Sequence, residues 1–126
     1  MTVGSDCTRG GCAFAIVALA TLLLSGCATY SEMATRPVSY SATTPKAPQA
    51  YADCLLPKLM DTNAASHIVP RGDGLDIVVP VGGGTPQAVM MTFDVTSSSG
   101  ATIVQMRHMA SLSEFPKQWK QAQSCL

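Results

Sequence analysis

The strongest constraint on this chain is an apolar run from Cys12 to Leu24 that stops on Ser25-Gly26-Cys27 and gives way to polar sequence. The run is about a dozen residues long, whereas a helix needs roughly 20 to cross a bilayer, so it is too short for a permanent span. An N-terminal apolar stretch with a small-residue exit has the parts of a secretory signal peptide, which is removed and takes no part in the fold. Its basic start is weak, because Arg9 is the single cation ahead of the run and Asp6 offsets it. The expectation of export therefore rests on the run and its exit. The folded protein must be built from residues 27–126.

At the exit, Leu24, Ser25, Gly26 and Cys27 resemble the lipobox of bacterial lipoproteins, a class that shares an anchor and a processing route but no common fold. The resemblance covers the leader alone. It implies a signal peptide over residues 1–26, a diacylglyceryl group on the Cys27 sulfur, cleavage just before Cys27, and acylation of the new N-terminus. Small residues ahead of the cysteine let an enzyme approach the backbone closely. Each buried methylene of an acyl chain contributes about 0.8 kcal/mol, so two or more chains hold a protein stably on a membrane. Residue 28 is Ala rather than the Asp that marks inner-membrane retention in enteric members of the class, which implies the outer membrane. The resemblance also bears on the cysteines: Cys7 and Cys12 fall in the leader and Cys27 in the anchor, leaving Cys54 and Cys125. In an oxidising compartment a disulfide between these two is expected, with two separate buried thiols as the alternative.

The chain carries 8 Lys and Arg against 8 Asp and Glu, without clustering of either sign. That balance gives no electrostatic footprint for nucleic acid or for an anionic membrane surface. Residues 27–49 are rich in Ser, Thr, Ala and Pro and lack apolar periodicity, so they read as the lipidated N-terminus and a flexible tether. Such a tether has an r.m.s. reach of roughly 26 Å.

Residues 50–126 read as one small domain. From about Ala50, Tyr51, Leu55 and Leu59 share a helical face with Cys54 beside them, Pro57 is either in a first turn or at a kink, and Asn63 closes the segment. Leu75, Ile77, Val79 and Val81 alternate as a strand, which Pro80 marks as an edge. Val89, Met91, Phe93 and Val95 form the next strand, and Ser97-Ser98-Ser99-Gly100 turns it into residues 101–109. A four-residue turn would pair Phe93 with Val104 and Met91 with Met106. On the other face it would set Met90 opposite Arg107, Thr92 opposite Gln105 and Asp94 opposite Ile103. At the end Ser113 can cap a helix with Pro116 in its first turn and Phe115, Trp119 and Ala122 on one face. The expected fold is a small α+β two-layer domain: helix, three-stranded antiparallel meander, helix, both helices on one side of the sheet.

Few residues carry identifiable chemistry. Arg71-Gly72-Asp73 spells an adhesion tripeptide, but after Pro70 it is also good turn chemistry. Met90, Met91, Met106, His108 and Met109 are of the soft type that binds copper, yet strand parity divides them between faces, so core filler is the better reading. His67 and His108 are the only histidines, with Asp73, Asp76, Asp94 and Glu114 as carboxylates that could pair with one of them. No nucleophile elbow or metalloprotease motif accompanies them, and the glycines at 82–84 lack the Lys and helix of a phosphate loop. The expectation is a non-catalytic lipoprotein without cofactor beyond the lipid on Cys27. It would act as a structural or interaction module that binds or inhibits another envelope protein through Met90, Thr92, Asp94, Ile103, Gln105 and Arg107. A ligand-binding module for a metal or small molecule is the alternative, which needs a concave site.

Overall fold

The computed structural model describes residues 28–82, 88–109 and 116–126. It holds an antiparallel five-stranded sheet, and helices pack on both of its faces. In chain order the elements are α1 (Tyr30–Thr35), β1 (Tyr40–Thr44), α2 (Pro48–Met60), β2 (His67–Arg71), β3 (Gly74–Pro80), β4 (Val89–Ser98), β5 (Ala101–His108) and α3 (Pro116–Gln123). The strand order is β1-β5-β4-β3-β2, so the first and last strands of the chain are neighbours. Among the described residues no helix is long and apolar enough to cross a membrane.

This overturns the expected helix, three-stranded meander and helix in two layers. The meander is present as β3, β4 and β5, but a strand is added at each edge. The stretch expected to be a tether supplies α1 and β1 instead, and β1 pairs along its whole length with β5. The added edges were hidden for a physical reason. The five residues of β1 are almost all exposed, with only Thr44 buried, so its place is set by backbone hydrogen bonds and not by an apolar pattern. β2 carries Pro70, which an edge tolerates. β3 is thereby an inner strand and is buried on both faces.

The main core lies between the sheet and α2 and α3. Leu75, Ile77 and Val79, then Met91, Phe93 and Val95, then Val104 and Met106 meet Tyr51, Leu55, Leu59 and Ala122. Cys54 and Cys125 are joined by a disulfide with 5.8 Å between their Cα atoms, and the buried Tyr51 hydroxyl donates to the Ala122 carbonyl at 3.0 Å. α2 begins at Pro48 and runs through Pro57. The bond that Pro57 cannot donate would have gone to the Asp53 carbonyl, and both residues lie on the exposed side of the helix. The sequence pattern found the buried face of α2 but placed its start at Ala50.

The register of β4 and β5 differs from expectation by two residues. Val95 faces Val104 and Phe93 faces Met106, because Ser99 and Gly100 alone make the turn, at φ 48° and 83°. Two residues at positive φ match the twist of a hairpin, so Ser97 and Ser98 join the strand. A shift of two keeps parity, which is why the core side chains were assigned correctly to their face. Parity fails only at a bulge where Val79 pairs with Met91 but Pro80 with Val89. The extra residue, Met90, packs against the main core and Val89 turns to the other face.

That other face has its own apolar cluster of Ala28, Met33, Val78 and Val89. α1 lies there, started by a capping box in which the Thr29 N–H donates to Glu32 Oε2 at 2.7 Å and the Glu32 N–H to Thr29 Oγ1 at 3.3 Å.

Candidate functional site: an arginine and aspartate row beneath the first helix

Asp76 on β3 and Asp94 on β4 are direct cross-strand partners, and both are buried, at 3% and 9% exposure. Like charges set opposite each other destabilise a sheet unless each is matched. Here the match comes from the flanking strands. Arg71, at the end of β2, places Nε 3.1 Å from Asp76 Oδ1, and Arg107 on β5 pairs with Asp94 Oδ2. Parity brings all four to one face, since Asp76 opposes Val69, two residues before Arg71, and Asp94 opposes Gln105, two before Arg107.

α1 is pinned over this row at both ends. The Tyr30 hydroxyl donates to Asp76 Oδ2, and Arg107 Nε donates to the Arg36 carbonyl at 3.0 Å, with Met33 fully buried between them. Burial, then the hydrogen bond to Asp76 and its charge, push the Tyr30 hydroxyl up to about 12. Beside the helix is a cleft of about 280 Å³ lined by Tyr30, Arg71, Asp76, Thr92, Asp94 and Arg107. One buried atom in these walls, Thr92 Oγ1, has no hydrogen-bond partner among the described residues, while Asp76 Oδ1 faces the Arg71 guanidinium. The cleft therefore offers guanidinium donors, an acceptor carboxylate oxygen and a hydroxyl within one small volume. That chemistry suits recognition of a polar group.

Of the six residues expected on an open face, Thr92, Asp94, Ile103, Gln105 and Arg107 share it, and Met90 does not. Nor is the face bare, since Thr92 and Asp94 are buried there, while Ile103, Gln105 and Arg107 are half-buried. Arg71 and Asp76 complete the site. The sequence presents Arg71 as part of an adhesion tripeptide or a turn, and Asp76 as a carboxylate that could pair with a histidine. Sequence carried one signal for the helix above them, the Thr29-Tyr30-Ser31-Glu32 capping pattern followed by Met33.

The remaining candidates lie apart. Gly72 and Asp73 form the turn between β2 and β3, and Arg71 is ion-paired within the sheet. His67 and His108 each approach a backbone carbonyl, that of Ala65 at 3.0 Å and that of Met109 at 2.7 Å. Met91 and Met106 are in the main core, Met90 packs against it and Met109 borders the second cluster. Among the described residues no group of three His, Cys, Asp or Glu side chains could hold a metal ion. Cys27, Glu114, Ser113 and Phe115 lie outside the described residues. A wider cavity of about 490 Å³ at the opposite helical layer is lined by Thr62, Asn63, Gly82, Met90 and Gln118. No protein-family model matches the chain, no curated protein matches it and no solved structure matches it.

Proposed function

We propose that this chain is a lipoprotein of a bacterial outer membrane, acylated at Cys27, whose disulfide-locked domain binds another envelope protein through the cleft beside α1. One observation carries the binding reading: four charged side chains, Arg71, Asp76, Asp94 and Arg107, are gathered on a sheet face that apolar residues could have covered. Replacing a buried ion pair such as Arg107 with Asp94 by apolar residues of similar volume is often neutral or stabilising, so stability alone does not account for it. Val78, Val89 and Met33 cover the adjoining part of the same face with apolar side chains. The disulfide supports residence in an oxidising compartment. A small polar ligand is the second reading, favoured by the unpartnered Thr92 Oγ1.

A photo-reactive residue at Gln105, on the same face as the cleft, tests the first reading in intact cells against one at the exposed Gln49 on α2. We expect one envelope protein crosslinked from Gln105 and none from Gln49. Equal capture from both positions, or from neither, overturns the binding face. A ligand retained by natively purified protein and lost on Thr92→Val would favour the second reading.

A further inference from the structure

We propose that the domain does not stand off on a tether but rests one defined end of its sheet on the lipid surface. This rests on the acylation of Cys27 proposed above. Ala28, the next residue, is 3% exposed, and its carbonyl accepts the Val89 N–H at 2.8 Å. One trans peptide unit, about 3.8 Å between Cα atoms, separates an acylated residue 27 from a residue fixed on the sheet. The lipid therefore leaves the protein at the start of β4.

The antiparallel order brings the ends of β3 and β5 and the starts of β1, β2 and β4 to that same end. α2 finishes there too, since Asn63 Nδ2 donates to the Pro80 carbonyl at 2.7 Å. Five large hydrophobic side chains are exposed among the described residues, and Val38, Tyr40, Met60 and Val81 all belong to this end. The fifth, Leu126, follows Cys125, whose carbonyl takes the Lys46 ammonium beyond the other end of β1. Tyr40 stacks on Trp119 with ring centroids 5.1 Å apart, an amphipathic pair of the kind that sits at headgroup level. Attachment at this end rests on the acyl chains and the apolar side chains rather than on charge, since the acidic Asp61 and Glu32 lie there with the basic Arg36. The opposite end carries the exposed turns at Gly72-Asp73 and Ser99-Gly100, with Ser97 and Ser98 exposed beside the second. The molecule thus has an apolar foot at its lipid attachment and a polar head away from it.

The test is amide NMR of the mature protein, purified from bacterial membranes, in nanodiscs of phosphatidylethanolamine and phosphatidylglycerol doped with a gadolinium-chelating lipid. Intact mass is measured first. We expect acylated protein, with loss of the amide signals of Val38, Met60 and Val81 and retention of those of Gly72 and Gly100. A double variant, Met60→Asp with Val81→Asp, should stay acylated and folded by circular dichroism but recover the lost signals. Acylated protein that loses signals uniformly, or keeps them all, overturns the docking and leaves the anchor standing. Protein without acyl mass overturns both.

Discussion

Tyr30 joins the two halves of the outer face, since its ring borders the apolar cluster around Met33 and its hydroxyl reaches Asp76. Its hydroxyl ionises near 10 in an unfolded chain and at about 12 in the fold. The stabilisation is therefore complete below pH 10 and is lost as pH rises through about 12. In an alkaline titration followed by tyrosinate absorbance and urea unfolding, Tyr30→Phe should remove a late-titrating group and flatten the loss of stability across that window. An unchanged slope would mean that burial and Asp76 together do not hold the hydroxyl protonated in the fold. Arg107 has a comparable position, because removing it would leave Asp94 buried without its ion-pair partner. Both acids stood out in sequence as charges inside apolar alternation, Leu75-Asp76-Ile77 and Phe93-Asp94-Val95. That they oppose each other could not be read, because their pairing depends on the bulge at Pro80 and on the connection between β3 and β4.

The helix above them is a dependent element. α1 has six residues, whereas isolated helices shorter than about 12–15 residues are marginal in water. Its capping box and the burial of Met33 hold it, and deleting most of a buried Met side chain costs about 2–5 kcal/mol. Met33→Ala should accordingly release α1 ahead of the sheet. Hydrogen exchange should then speed up at the α1 amides and at Val89, which bonds to Ala28, and stay slow at Phe93. Equal acceleration at Phe93 would show that α1 and the sheet open as one unit. The sheet's inner strands were readable because their period-2 alternation survives in Ile77-Val79, Met91-Phe93-Val95 and Val104-Met106. The edges were not, since exposed strands such as Tyr40–Thr44 need no apolar alternation. Gly74 shows another contact invisible in sequence: a Cβ there would collide with the Val95 carbonyl oxygen on the neighbouring strand.

Over the whole molecule, the one long-range link the sequence specified was the disulfide, which spans 71 positions and ties α2 to the chain's end. Closing so long a loop contributes about 4 kcal/mol in the chain-entropy model, a large part of the 5–15 kcal/mol that holds a typical domain. Reduction should lower the urea midpoint by a corresponding margin, and a midpoint indifferent to reductant would show that packing alone seats the helices. The expected layering failed because α1 was not anticipated on the second face, although the placement of α2 and α3 on the first was right. The strand order has its own consequence for biogenesis. β1 finds its sheet partner in β5, and Cys54 finds its disulfide partner in Cys125, so these closures wait for segments far along the chain. A chain threaded N-terminus first through a narrow pore would therefore keep β1 unpaired until β5 emerges and Cys54 unbridged until Cys125 follows.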